Sequence, residues 1–137
     1  MEKKKIFRAD LLTPEDHYQP GVIEVIVRGI ILRKGRLLLC WSKRGRMYYF
    51  PGGHVEYGES PTQTLKREVR EEMGGTISFA RPLGFLEYRY KEKGRQRHEV
   101  NLLYEATIRE CVLCSREHHI SFAWLLRGQL QKANVLP

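Results

Sequence analysis

The amino-acid sequence predicts a single domain of the α/β class, on the basis of three observations. An apolar, β-branched run at residues 22–32 returns through a glycine turn into a second apolar run at residues 37–41, which indicates a hairpin of buried strands. Start and stop signals around residues 61–73 predict one helix. From Val100 to Ile108, apolar residues alternate with mostly polar ones, as in a half-buried strand. A chain of 137 residues is long enough to bury the core of one domain.

The remaining elements follow from local signals along the chain. Residues 1–20 are polar and contain two prolines, which predicts a loose lead-in or an edge strand. The hairpin turn is expected at Lys34-Gly35-Arg36, and a short strand at Tyr48–Phe50 should lead into a glycine loop. Beyond the helix we expect two strands, at Ile77–Phe79 and Leu83–Tyr90. A polar hairpin tip is expected at Lys91–Arg97 and a second helix at Trp124–Ala133.

The helix from about Pro61 to Met73 has recognisable ends. Ser60 is a good N-cap, Pro61 suits the first helical position, and Gln63 completes a capping box with Ser60. Gly74-Gly75 favours a left-handed C-terminal cap. At about 100° per residue the side chains divide into an apolar stripe, an acidic flank and a basic side. The stripe is formed by Leu65, Val69 and Met73, and the acidic flank by Glu68, Glu71 and Glu72.

The acidic flank predicts a metal site. Carboxylates that share one side of a helix repel each other, and a hard divalent cation would remove that repulsion. Mg²⁺ or Mn²⁺ prefers such oxygen ligands. The alternative is a solvated glutamate-rich surface, which the adjoining loop and helix caps make the poorer explanation.

The loop from Phe50 to His54 contains Gly52 and Gly53, which let the backbone approach a ligand closely and expose carbonyl oxygens to a cation. Glu59 and Arg67 carry opposite charges near the junction of loop and helix. We expect them to form an ion pair that holds the loop against the helix. An ordinary tight turn is the alternative for a Gly-Gly pair taken alone.

The spacing of these residues resembles the Nudix box, G-x5-E-x7-R-E-U-x-E-E-x-G-U, in which U is aliphatic. Seven positions fall in register, and a chance match of seven in a chain of this length has a probability of about 10⁻⁶. They are Gly53, Glu59, Arg67, Glu68, Glu71, Glu72 and Gly74. Val69 also fits, but the last aliphatic position is Gly75, and Ile77 is expected to take over its packing role.

The resemblance implies an α/β/α sandwich around a mixed sheet, and hydrolysis of a nucleoside diphosphate linked to another moiety with Mg²⁺ or Mn²⁺. It also implies that Glu68, Glu71 and Glu72 are metal ligands, that the Gly52 carbonyl is a backbone ligand, and that Glu59 and Arg67 orient the site. Family members are often homodimers, so a homodimer is a further expectation.

Other roles at the site stay open in the sequence. In the family the general base is a box glutamate or a residue of a later loop, and Glu99 and Glu117 are candidates here, although a plain surface acid is the better interpretation of each. Arg44 and Arg46 lie before the Tyr48–Phe50 segment and could contact phosphate or simply be solvated.

Composition limits the setting of the protein. The net charge of +8 attracts polyanions such as nucleotides or an RNA 5′ end, although a basic surface alone would also explain it. No apolar run approaches the roughly 20 residues that span a bilayer, and an odd cysteine count suits a reducing compartment, so we expect a cytoplasmic protein without membrane contact. The zinc-ligand types Cys111, Cys114, His118 and His119 lie close together, but the cysteines also read as small apolar residues at a strand end.

The sequence therefore favours a pyrophosphohydrolase acting on a small nucleotide, such as a nucleoside triphosphate, a nucleotide-sugar or a dinucleotide. Two alternatives remain. One is a hydrolase that removes pyrophosphate from RNA 5′ ends, the only form in which we expect a nucleic-acid partner. The other is a non-catalytic domain that senses a nucleotide, which the intact set of box carboxylates makes the poorer match.

Overall fold

The computed structural model of the protein describes residues 21–110, 114–115 and 118–136. In that part of the chain, eight strands and two helices follow one another. They are β1 (Ile23–Arg33), β2 (Arg36–Ser42), β3 (Met47–Tyr49), β4 (Gly52–His54), α1 (Pro61–Met73), β5 (Ile77–Glu92), β6 (Arg95–Ile108), β7 (Ile120–Leu126), α2 (Arg127–Leu130) and β8 (Val135–Leu136).

The strands form a mixed sheet, as the family resemblance implies. β1 pairs in parallel with β6, whereas β4 pairs with β1 and β5 pairs with β6 in antiparallel fashion. The β1–β2 hairpin leads into a second group, in which β3 and β7 flank β2 and β8 extends β3. Lys34 and Gly35 make the hairpin turn with φ of 50° and 73°, which matches the twist of the strands they join.

Helix α1 begins and ends where its sequence signals place it. Ser60 accepts a hydrogen bond from the Gln63 backbone, and the Gln63 side chain accepts one from the Ser60 backbone. Gly74 closes the helix in the left-handed conformation with φ of 67°. The helix is therefore fixed at both ends, and its side chains have the orientation that the sequence predicts.

The apolar stripe of α1 packs into the core. Leu65, Val69 and Met73 are fully buried with apolar residues from both groups of strands, including Val27 of β1 and Leu38 of β2. Ile77 belongs to the same cluster, in line with the packing role expected of it. Helix and strands thus bury one another, and the acidic flank of the helix is held at a fixed place beside β4.

Alternation along β1 and β6 separates two faces. Val27 and Ile31 of β1 belong to the core cluster beside α1. Arg28 and Ile30 point to the opposite face, together with their β6 partners Leu103 and Glu105. We refer to this side as the distal face of β1 and β6.

The structure corrects several predicted elements. The segment predicted as two strands after the helix is one long strand, β5. Its register with β6 shifts near residues 77–79 and 82–84, and the second shift accommodates Pro82. The predicted helix at Trp124–Ala133 is wrong in its first part, because Trp124 lies in β7 and pairs with Leu38, and only Arg127–Leu130 is helical. Gly52–His54, expected as a loop, pairs with β1 as a short strand. We keep the name glycine loop for residues Phe50–His54.

Neither helix in the described part of the chain has the length and apolar character needed to cross a lipid bilayer. The predicted lead-in at residues 1–20 lies outside the described residues.

Candidate active site

The connection between β4 and α1 is held to the helix by a two-pronged ion pair between Glu59 and Arg67. Arg67 Nε lies 2.7 Å from Glu59 Oε1, and Arg67 Nη2 lies 3.1 Å from Glu59 Oε2. The hydroxyl of Thr64 donates to the same carboxylate at 2.8 Å, and Arg67 Nη2 also donates to the carbonyl of His54. The hydrogen bonds from Arg67 and Thr64 lower the pKa of Glu59 to about 2, and Glu59 in turn raises the pKa of Arg67.

The same guanidinium gathers two of the three glutamates on the acidic flank. Arg67 Nη1 donates to Glu68 Oε1 at 3.0 Å and to Glu71 Oε2 at 3.4 Å. Burial raises the pKa of Glu68, while the positive charge of Arg67 opposes that shift and the neighbouring Glu71 adds to it. A cation placed beside Glu68 would favour its ionised form, so this half-buried carboxylate is suited to a metal.

Gly53 and Gly52 are required for two different reasons. A Cβ at Gly53 would lie 2.4 Å from Cδ and from Oε1 of Glu68, so the absence of a side chain makes room for that carboxylate. A Cβ at Gly52 would lie 1.9 Å from the backbone oxygen of Val27, and Gly52 has a φ of 142°. The loop therefore presses its backbone against β1 on one side and against Glu68 on the other.

Glu72 points toward the core. It is 7% exposed, and its Oε2 lies 3.9 Å from the buried thiol of Cys40, whose pKa is raised by burial. In the part of the chain that the structure describes, no trio of His, Cys, Asp or Glu side chains stands close enough to hold a metal ion. The glutamates repel one another, and whereas Glu68 and Glu71 both accept from Arg67, Glu72 turns to the thiol of Cys40.

The donors nevertheless fit a hard divalent cation. Glu68 lies against the glycine loop, and Glu71 pairs with the same Arg67 guanidinium as Glu68. Glu72 is one residue further on the same helix. These carboxylates, with the Gly52 carbonyl, form an all-oxygen set of the kind that Mg²⁺ and Mn²⁺ take. A common site requires these glutamate side chains to turn toward one another.

A pocket of about 230 Å³ lies on the distal face. Its lining is apolar apart from one arginine and comes from the strands, from the start of the glycine loop and from the end of the described chain. The lining residues are Arg28, Ile30, Phe50, Leu86, Leu103, Val135 and Leu136. This pocket leaves no signal in the sequence, because its walls come from segments that are far apart in the chain.

Arg28 connects the pocket to the glycine loop. Its Nη1 donates to the carbonyl of Phe50 at 3.2 Å, its Nε donates to Asn101 Oδ1 at 3.3 Å, and its guanidinium lies 5.6 Å from the centre of the Tyr49 ring. Burial lowers the pKa of Arg28, and the negative charges of Glu72 and Glu99 oppose that shift. The sequence signal for this residue was a charged side chain in the middle of an apolar strand.

The two candidates for the general base differ in what the structure describes. Glu99 is 7% exposed on the distal face, where Tyr90 donates to its Oε1 at 2.8 Å and Asn101 donates to its Oε2 at 3.3 Å. Glu117 lies outside the described residues.

None of the remaining sequence candidates within the described residues lines this pocket. Arg44 and Arg46 are in the exposed turn between β2 and β3. Cys114 and His118 are exposed, His119 is half-buried, and Cys111 lies outside the described residues.

Comparison with known proteins identifies the family. The family model of the NUDIX domain matches residues 22–136. A protein of Bacillus subtilis strain 168 named "Putative ADP-ribose pyrophosphatase YjhB" is 34% identical over 61 residues, which are 44% of this chain and 29% of that protein. The match thus spans less than a third of the relative's length.

Solved structures share the fold. A MutT NUDIX hydrolase from Burkholderia pseudomallei superposes with a TM-score of 0.69 at 24% identity, over 77% of this chain and 84% of that one. A MutT protein from Bacillus halodurans gives a TM-score of 0.69 at 22% identity, over 82% of this chain and 74% of that one. At these identities the likeness concerns the fold, a mixed sheet with helices.

Proposed function

This chain belongs to the NUDIX domain family, the family of the Nudix pyrophosphohydrolases, and we propose that it uses Mg²⁺ or Mn²⁺ to hydrolyse a phosphoanhydride bond of a nucleoside diphosphate linked to another group. The observation that carries the proposal is the contact between helix and loop. Glu68 rests in the space left by Gly53, and the same loop continues through Gly52 to the pocket wall at Phe50. A cation-binding flank and an apolar pocket thus adjoin one stretch of backbone.

The division of labour follows from these positions. Glu68, Glu71, Glu72 and the Gly52 carbonyl would hold the cation, which when bound supplies positive charge for the diphosphate and activates water. Glu59 fixes Arg67, and Arg67 keeps Glu68 and the His54 carbonyl in place. These contacts fix the orienting pair and the loop backbone, so the adjustment left for cation binding is that of the glutamate side chains.

The pocket supports a small nucleotide as substrate. Its volume of about 230 Å³ is below the ~300–1,000 Å³ typical of sites that enclose a whole drug-sized ligand, so it would take one part of the substrate. A nucleobase has the flat apolar faces that suit Phe50, Leu86 and Leu103. The relative from B. subtilis carries the name of an ADP-ribose pyrophosphatase, and ADP-ribose is therefore one member of the substrate class to test first.

A second candidate is removal of pyrophosphate from RNA 5′ ends, which the net charge of +8 favours. One screen separates these possibilities. Chromatography follows the formation of nucleoside monophosphate, sugar phosphate or pyrophosphate from nucleoside triphosphates, ADP-ribose, nucleotide-sugars, dinucleotides and RNA carrying a 5′-triphosphate, each with Mg²⁺ and with Mn²⁺.

We expect turnover of at least one small nucleotide that disappears with a chelator. Turnover confined to RNA would favour the second candidate. Tight binding of one nucleotide without any turnover would instead identify a sensor. The homodimer and the cytoplasmic location remain predictions, which sedimentation and cell fractionation would test.

A further inference from the structure

A chain of hydrogen bonds crosses three strands on the distal face. The hydroxyl of Tyr90 on β5 donates to Glu99 Oε1 at 2.8 Å. On β6, Asn101 Nδ2 donates to Glu99 Oε2 at 3.3 Å. Arg28 Nε on β1 then donates to Asn101 Oδ1 at 3.3 Å. The chain thus runs from the outer strand to the arginine at the pocket.

Chemistry fixes the direction of every bond in this chain. An arginine only donates and an ionised carboxylate only accepts, so Asn101 between them has one usable orientation of its amide. Asn101 is fully buried, and Glu99 is 7% exposed. A buried polar group that loses its partner costs free energy, which holds the whole chain in one arrangement.

The other end of the chain rests on the glycine loop. Arg28 Nη1 donates to the Phe50 carbonyl at 3.2 Å, and the backbone nitrogen of Gly29 donates to the Pro51 carbonyl at 2.7 Å. In the β1–β4 pairing Arg28 stands opposite Gly52. Three successive loop residues are therefore held by Arg28 and its neighbour.

We propose that Glu99 and Asn101 are positioning residues that hold the Arg28 guanidinium, and that Arg28 in turn fixes the Phe50–Gly52 backbone between the pocket and the cation site. The inference rests on the proposed function, because the cation site is what gives this backbone its role. It assigns Glu99 a task other than activating water. Both of its oxygens accept hydrogen bonds from protein donors, and its charge faces Arg28.

The test compares three variants. Asn101→Leu removes both hydrogen bonds of the side-chain amide and keeps a side chain of similar size. The double variant Glu99→Gln with Asn101→Asp exchanges acid and amide. In it Tyr90 donates to the Gln oxygen, the Gln amide donates to the Asp carboxylate, and Arg28 donates to the same carboxylate. All three hydrogen bonds and the net charge are retained. Glu105→Gln is the matched control, because Glu105 lies on the same strand and face but pairs with the surface residue Arg81.

Two measurements read the loop without relying on turnover alone. Electron paramagnetic resonance gives the Kd of Mn²⁺ in the absence of nucleotide, and hydrogen exchange reports on the peptide containing residues 50–55. We expect Asn101→Leu to raise the Mn²⁺ Kd and lower kcat by about tenfold or more, with faster exchange in that peptide. The Mn²⁺ Kd and kcat of the exchanged double variant should lie within about threefold of the wild-type values, and Glu105→Gln should have the wild-type values.

Several results would overturn the inference. One is a folded Asn101→Leu protein with the Mn²⁺ Kd and kcat of the wild type. Another is a double variant that binds Mn²⁺ normally but has lost turnover, because Glu99 would then act on the reacting water. If Asn101→Leu does not fold, Glu99→Gln alone replaces it, and equal Mn²⁺ Kd values for that protein and the wild type count against the inference. A wild type that takes up no Mn²⁺ refutes the proposed function as well, whereas uptake that no variant alters refutes only the positioning role.

Discussion

Replacing Gly53 with alanine should weaken cation binding without unfolding the protein. The new Cβ would lie 2.4 Å from Cδ and Oε1 of Glu68 and 2.9 Å from its Oε2, so the carboxylate must leave its place against the loop. A flexible side chain can do this at a loss of about 1 kcal/mol for its half-buried ion pair with Arg67. The alanine also restricts the unfolded chain, which returns about 0.4–1 kcal/mol. Stability should therefore change by about 1 kcal/mol or less.

Cation affinity should change far more than stability. Displacement of one carboxylate ligand is expected to weaken Mn²⁺ binding at least about tenfold, or about 1.4 kcal/mol. Calorimetric Mn²⁺ titration and thermal unfolding of the same sample measure both quantities. Gly52→Ala is the contrasting control, because its Cβ would lie 1.9 Å from the Val27 backbone oxygen at a φ of 142°, and it should lose about 1–3 kcal/mol of stability. A Gly53→Ala protein with wild-type Mn²⁺ affinity would refute the reasoning.

Three further predictions concern the acidic flank, the ion pair and the pocket. Glu72→Gln keeps the size of a nearly buried side chain, so Tm should hold while kcat falls by about 100-fold or more, and near wild-type turnover would exclude Glu72 as a ligand. The pKa of Glu59 is lowered from 4.5 to about 2, so its contribution to stability is complete above pH 4.5 and is lost as pH falls toward 2. The Tm of Glu59→Gln should accordingly fall less than that of the wild type between pH 4.5 and about 2, and an equal fall would contradict the ion pair's role in stability. Leu103→Asp places a charge in the apolar pocket and should raise KM by about tenfold with a smaller change in kcat, whereas an unchanged KM would place the substrate elsewhere.

Local chemistry accounts for what could be predicted from the sequence. The bounds of α1 depend on Ser60, Gln63 and Gly74, which act on their immediate neighbours and need no tertiary information. The two-pronged contact between Glu59 and Arg67 follows from opposite charges at the junction of loop and helix. The hairpin turn likewise lies within a few residues of the strands it joins.

Features that depend on distant segments were missed or misjudged. Trp124 lies in a strand rather than a helix because β2 supplies its partner Leu38, about 86 positions earlier. The inward turn of Glu72 depends on Cys40, and the role of Arg28 depends on Asn101. In each case the neighbour is set by sheet pairing or by the packing of α1 on the sheet, which hydrophobic periodicity in a single segment does not reveal.

The central claim is that the glutamates of α1 and the backbone of Gly52 together bind a divalent cation that holds a diphosphate. The most direct measurement is Mn²⁺ binding by electron paramagnetic resonance, with and without a non-hydrolysable nucleotide, on the wild type and on Glu68→Gln. The wild type should bind Mn²⁺, nucleotide should strengthen that binding, and Glu68→Gln should weaken it at least about tenfold. Absence of uptake by the wild type under both conditions would contradict the central claim.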